Sequence, residues 1–132
     1  MGRCDPGLRV THQLEVTDEL TAETVGSGDV PVIATPELLA LAERACVDAI
    51  ADDLAPGETS VGTWAEVEHL KATGVGGVIT ARATLIGHHG RRLEFTVIVD
   101  GDGETVARIH HRRILVDRDR FLSKVAPAAT AS

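Results

Sequence analysis

The chain has no tyrosine, a single tryptophan and two phenylalanines among 132 residues. Aromatic rings therefore cannot fill its interior, which must be built from Val, Ile, Leu and Ala, and the length suffices for one such core and not for two. We expect one domain over residues 1–125, with the small-residue run of residues 126–132 as a disordered tail. Cysteine is as scarce. Only Cys4, near an N-terminus that looks loose, and Cys46, on an apolar helix stripe, are present, which excludes a disulfide framework and fits reduced thiols of an intracellular protein.

Basic residues are outnumbered, 13 Lys and Arg against 20 Asp and Glu, for a formal net charge of −7. That balance argues against nucleic acid or an anionic membrane as a general partner, because both need a basic surface. No apolar run has the length of a membrane span, and the opening M-G-R-C-D-P-G-L lacks the apolar centre of a signal peptide. Met1-Gly2 begins like a myristoylation site, but Pro6 stands where Ser or Thr is required. A cytoplasmic location is the expectation. There are no internal repeats.

What is present centres on the stretch from Thr35 to Leu54. Thr35 reads as an N-cap, Pro36 as the first helical residue and Glu37 as an acidic group at the positive end of the dipole, while Pro56 and Gly57 stop the helix. Leu39, Cys46, Val47 and Ile50 form one stripe, with Ala42, Ala45 and Ala49 beside it. Glu43 falls inside that stripe. A carboxylate on an apolar face has to be neutralised, hydrogen-bonded or used, since burying it unpaired is expensive.

Strands surround this helix. Leu8, Val10, His12, Leu14 and Val16 alternate with polar residues, the pattern of a strand with one buried face. From Thr17 to Ala34 the periodicity disappears, and we expect a loop, either a lid or a plain surface connection. Residues Glu58 to Leu70 read as a strand with Val61, Thr63, Ala65, Val67 and His69 on one face. Gly62 within it marks either a close approach by backbone or ligand, or a bulge. The glycine-rich run around Gly74 to Gly77 lacks the G-K-[ST] of a phosphate loop and reads as a turn between strands.

Three strands follow: Val78 to Ile86 with Ile79, Ala81, Ala83 and Leu85 inward; Arg92 to Val99 with Leu93, Phe95, Val97 and Val99 inward; and Thr105 to Val116. His88-His89-Gly90 and Asp100-Gly101-Asp102-Gly103 are expected to be hairpin connections. His110 and His111 are adjacent on the last strand and point to opposite faces, so they do not chelate one metal together. No metal or cofactor is expected. A short turn or helix should close the chain over Asp117 to Lys124.

A strand, one long helix and four antiparallel strands make an α+β unit, a five-stranded antiparallel sheet wrapped around one long central helix, which is the hotdog arrangement. One helix covers only part of the sheet, so a homodimer is expected. On that order of elements, particular residues carry a resemblance. I-A-T at Ile33 to Thr35, A-E-R-A-C-V around Glu43, P-G-E-T-S-V-G-T leading to Gly62, His69, G-R-R-L at Gly90 to Leu93 and H-x-R at His111 to Arg113 resemble the fluoroacetyl-CoA thioesterase branch of the hotdog thioesterases.

The resemblance runs from the first strand to the last. It implies an acyl-CoA thioesterase whose catalytic set is a Thr at the helix start, a Glu eight residues on and a His twenty-six beyond that, matched here by Thr35, Glu43 and His69. It also implies that Gly62 is the active-site glycine. The family member specific for fluoroacetate has phenylalanines before the helix, whereas Ala22 to Ile33 holds no aromatic residue, so the resemblance speaks for thioester chemistry without specifying the acyl group.

The residue types suit that chemistry. A thioester carbonyl needs a nucleophile or an activated water, a stabiliser for the oxyanion and help for the departing thiolate. Glu43 can serve as nucleophile or as general base, His69 can orient it or pass a proton, and the Thr35 hydroxyl can cap the helix while donating elsewhere. The backbone N–H of Gly62 can face the carbonyl oxygen. Arg91 and Arg92, after the His88-His89-Gly90 turn, are candidates for the coenzyme A phosphates or else solvated hairpin charges. Eight residues of helix separate Thr35 and Glu43 by about 12 Å, so either the substrate lies between them or the Thr35 that meets Glu43 belongs to a partner chain. Taken singly, the three residues also read as a cap, a paired Glu and a core His. The competing function is a non-catalytic dimer that binds acyl-CoA or another small ligand.

Overall fold

A computed structural model describes residues 3–125. The expected tail lies outside the described residues. In chain order the elements are strand β1 (Arg9–Glu15), a 3₁₀ turn (Asp18–Leu20), helix α1 (Ala22–Val25), helix α2 (Thr35–Ile50) with a 3₁₀ turn (Ala51–Asp53) behind it, strands β2 (Glu58–His69), β3 (Val78–His89), β4 (Arg92–Gly101) and β5 (Glu104–Asp117), and helix α3 (Arg118–Ser123). The five strands form one sheet in the order β1-β3-β4-β5-β2, antiparallel at every pairing. The arrangement is the expected one, a curled sheet holding one long helix.

Strand alternation selects the core. Ile79, Ala81, Ala83 and Leu85 of β3 and Leu93, Phe95, Val97 and Val99 of β4 are fully buried beneath α2. Helix α2 packs on β3, and Ala42 and Ala45 of the helix and Ala81 and Ala83 of the strand are all fully buried, small residues that let the helix axis come close to the sheet. At the β4–β5 tip Asp102 and Gly103 both take positive φ, 51° and 72°, the backbone of a two-residue turn whose twist matches the strands.

Several local expectations change. The buried side of α2 is Leu38, Leu41, Ala42, Ala45, Cys46 and Ile50, whereas Val47 is 39% exposed and Leu39 only half-buried. The helix is rotated from the expected stripe because Leu38, Leu41, Ala42 and Ala45 make an equally good i, i+3, i+4, i+7 row. Glu43 consequently lies at the margin of the buried face, its side chain 39% exposed. Residues 70–77 are not a hairpin turn. β2 pairs with β5 at the far edge, so this run crosses the ends of two strands to reach β3, a distance eight residues span easily.

The stretch before α2 is folded rather than an irregular loop. The Thr21 side chain caps α1, Gly26 closes it in the left-handed region, and Thr21 bridges to Ile33. His88 and His89 belong to β3, leaving Gly90 and Arg91 as the turn. Cys4 is wholly buried, its N–H donating to the Asp53 carboxylate at 2.8 Å, so the N-terminal segment is tied down where a loose end was expected.

Candidate active site

The carboxylate of Glu43 meets three residues brought by two strands. Arg113 on β5 donates from Nη1 to Glu43 Oε2 at 3.2 Å, and the Nε2 of His111, two residues earlier on the same strand, lies 3.3 Å from that oxygen. Alternation along β5 turns both side chains inward, where His111 is 2% and Arg113 7% exposed. Gly62 closes the third side. A Cβ there would stand 2.6 Å from Glu43 Oε2 and 3.1 Å from His111 Cε1, so only glycine leaves the carboxylate its place. β2 bulges between Gly62 and Trp64, as expected for this glycine, and the group that comes close to it is the Glu43 side chain rather than backbone or ligand.

Burial governs the electrostatics. It lowers the pKa of Arg113 below the usual arginine range, opposed by the charge of Glu43, and lowers that of His111 below the ordinary imidazole value. Cys46, behind them, is pushed up to about 12, mainly by burial, which leaves it a packing thiol rather than a nucleophile. Glu43 faces a cleft of about 450 Å³ lined by His12, Ala40, Arg44, Val47, Asp48 and Arg113. A recess of about 510 Å³ around the Gly74–Gly77 loop contains none of these residues.

Thr35 and His69 form a second group. The N-cap of α2 is Ala34, in extended conformation, and Thr35 is already helical with no side-chain capping bond. The cap thus falls one residue before the expected Thr35, and the Thr35 hydroxyl is free to make a 2.8 Å hydrogen bond with His69 Nδ1. What joins them is the run before α2: Ile33 N–H donates to Thr73 O at 2.8 Å and Val32 bridges Gly74, clipping the helix entrance to the segment that follows β2. The other ring nitrogen, His69 Nε2, is buried with no hydrogen-bond partner among the described residues.

Of the residues singled out from sequence, one chain brings together Thr35 with His69 and Glu43 with Gly62. The two groups are separated along α2 by eight residues, about 12 Å of helix. Arg91 and Arg92 are exposed at the β3–β4 turn; Arg92 lies opposite Ile114 and, by alternation, on the sheet face away from Arg113. His110 also points outward, to Glu94, while His111 points inward. Sequence reasoning gave no role to His111 or Arg113, although both were quoted in the H-x-R run. The available signal was alternation, which puts positions 111 and 113 on the same face as buried Ile109 and Leu115.

Comparison with known proteins identifies the fold and the family. The crystal structure of a hot-dog-like protein from Thermanaerovibrio acidaminovorans superposes with a TM-score of 0.84 at 21% identity, over 90% of this chain and 88% of that one. The fold is therefore the hotdog fold. The structure of a point mutant of the fluoroacetyl-CoA-specific thioesterase FlK superposes with a TM-score of 0.84 at 33% identity, over 92% of this chain and 94% of that one. A curated fluoroacetyl-CoA thioesterase from Streptantibioticus cattleyicolor is 34% identical over 125 residues, 90% of each chain. Residues 16–119 match the model of the fluoroacetyl-CoA-specific thioesterase family, and the chain belongs to that family of hotdog thioester hydrolases.

Proposed function

We propose that the chain hydrolyses small acyl-CoA thioesters with Thr35, Glu43 and His69 as catalytic residues, in a site built from two copies of a single-domain cytoplasmic protein. The observation that carries the reading is the Thr35–His69 pair, a hydroxyl bonded to an imidazole whose second nitrogen is buried and has no partner among the described residues. Buried polar atoms are rarely left so, and a substrate or a group from a second chain would complete this one. The named relatives, which act on fluoroacetyl-CoA, support thioester cleavage. The stretch Ala22 to Ile33, without an aromatic residue, leaves the fluorine preference open to measurement.

The division of the residues supports the dimer. Thr35 and His69 stand at one end of α2 and Glu43 some 12 Å along it, so a substrate reaching all three is best served by Thr35 and His69 of one copy and Glu43 of the other. β2 is a twelve-residue edge strand with Trp64 39% exposed, the kind of edge that natural sheets cover or pair. In the reaction, Glu43 either attacks the thioester carbon, forming an anhydride that water then cleaves, or takes a proton from water that attacks directly. The carbon–sulfur bond breaks in either case, and His69 is the proposed proton donor to the departing thiolate. The backbone of Gly62 is the candidate donor to the carbonyl oxygen.

The test is release of free thiol from a panel of acetyl-, fluoroacetyl-, propionyl- and isobutyryl-CoA. Turnover of at least one supports the reading; tight binding of CoA with no thiol release would return the chain to the non-catalytic ligand-binding class. Arg91 and Arg92 are proposed as contacts to the CoA phosphates. Arg91→Ala/Arg92→Ala should then raise KM roughly 10-fold for the CoA ester and leave the N-acetylcysteamine ester unchanged, whereas equal effects on both substrates would make these arginines plain surface charges.

A further inference from the structure

We propose that His111 is a positioning residue of this site, held as the neutral tautomer protonated on Nδ1 so that its Nε2 lone pair receives one N–H of Arg113 and fixes the guanidinium against Glu43. The assignment rests on the thioesterase reading for its catalytic consequence and on geometry for the rest.

Two bonds set the tautomer. Nδ1 lies 2.8 Å from the main-chain oxygen of Trp64, which only accepts, so Nδ1 carries a proton. Trp64 is the residue after the bulge at Gly62, where the β2–β5 ladder loses register and a backbone carbonyl is released to the side chain. Nε2 lies 3.1 Å from Arg113 Nη1, and a guanidinium only donates, so Nε2 carries a lone pair. One donor and one acceptor make a neutral ring. Burial, which lowers the His111 pKa, favours the same state.

The 3.3 Å approach of Nε2 to Glu43 Oε2 is therefore a meeting of two acceptors rather than an ion pair. Both are served by Arg113 Nη1, which has two hydrogens, one for His111 at 3.1 Å and one for Glu43 at 3.2 Å. The rest of the guanidinium is held by Ser60, through Nε to Oγ at 2.8 Å and Nη2 to the carbonyl at 3.0 Å. These contacts fix the plane of the group, and His111 sets which Nη1 hydrogen is left for the carboxylate. Without that acceptor a buried N–H loses its partner and Glu43 loses its anchor.

Two amide variants separate the two nitrogens. In His111→Gln the side-chain oxygen reaches the position of Nε2 and can still accept from Arg113, while in His111→Asn the amide nitrogen overlays Nδ1 and keeps only the bond to Trp64. Misplacement of a catalytic group by about 1 Å costs on the order of 100-fold. We expect kcat of His111→Asn to fall by roughly that factor with KM changed less than about twofold, and His111→Gln to stay within about fivefold of the parent. Equal losses in the two, or a larger loss in Gln, would make His111 a strand tether and overturn the proposal.

Imidazole ¹⁵N spectra of the unsubstituted protein at neutral pH judge the tautomer without any turnover. A neutral ring with the proton on Nδ1 is expected; a cation or an Nε2–H ring would overturn the assignment even if both variants fail to fold. Protection of the Arg113 side-chain N–H from exchange, expected in the parent and in His111→Gln and lost in His111→Asn, tests positioning should no acyl-CoA be cleaved. That case would remove the thioesterase reading and leave the His111 result standing on its own.

Discussion

His110 and His111 are consecutive residues of β5, and the sheet sends them to two different environments. His111 is 2% exposed, faces α2, and is framed by Trp64 O, Arg113 and Glu43. His110 is 33% exposed on the outer face, where it meets Glu94 at 2.5 Å and stands edge-on to Trp64 at 5.3 Å, with Arg112 over the other part of that indole at 4.3 Å. Both faces thus hold a histidine, an arginine and a carboxylate. What separates them is the burial of the two bases: His111 and Arg113 are withdrawn from water and must find acceptors within the protein, whereas His110 keeps a third of its surface in solvent, although the two carboxylates, Glu43 and Glu94, are both part-exposed.

Exchanging single residues between the two faces should expose that difference. Glu43→Ala is expected to lower kcat by about 1,000-fold or more without loss of fold, because Glu43 lies at the margin of the core, whereas Glu94→Ala should leave turnover within about twofold. Comparable losses in the two would erase the distinction. Gly62→Ala is a smaller perturbation of the same cluster. Its Cβ would stand 2.6 Å from Glu43 Oε2, the end of a flexible and part-exposed side chain, so the carboxylate is displaced at little cost to the fold and a roughly 10- to 100-fold fall in kcat is expected. Full activity in that variant would mean that the carboxylate is not held where the structure has it.

The smallest effect sharpens the comparison through pH. His111 has its folded pKa lowered from 6.5, chiefly by burial, so below about pH 6.5 the unfolded chain takes up a proton that the fold resists. The stability this neutral histidine contributes is present above that pH and is lost as the solution is acidified toward the folded value. The melting temperature should therefore fall less between pH 7.5 and 5.5 in His111→Gln than in the parent. An identical acid response in the two would place the sensitivity elsewhere.

Strands β3 and β4 were legible in the sequence because alternation is a local property, and every inward residue assigned to them is buried; in β2 the bulge puts Val61, opposite Ile114, and Ala65, opposite His111, on different faces and breaks the single row expected there. The bulge at Gly62 was legible as well, though not that a side chain makes the close approach there. The rotation of α2 was not, since the rows through Leu38 and Leu39 are both apolar and only the sheet, with its alanines at 81 and 83, selects between them. Nor was the path of the sheet, because an eight-residue connection looks the same whether it turns back or crosses two strand ends. Arg113 escaped notice for a different reason. A charged residue at an inward position breaks the strand pattern, and its compensation, Glu43 and Ser60, comes from elements 70 and 53 residues away. The break in the pattern was itself the signal.

The central claim, that Thr35 and His69 of one chain work with Glu43 of another, is tested most directly by mixing two inactive variants, Glu43→Ala and His69→Ala, after unfolding and refolding them together. If the site is shared between subunits, each mixed dimer regains one intact site and the 1:1 mixture recovers about a quarter of the parent's thiol release from acyl-CoA. If each chain supplies all three groups to its own site, every site in the mixture lacks one of them and no activity returns, which would contradict the account.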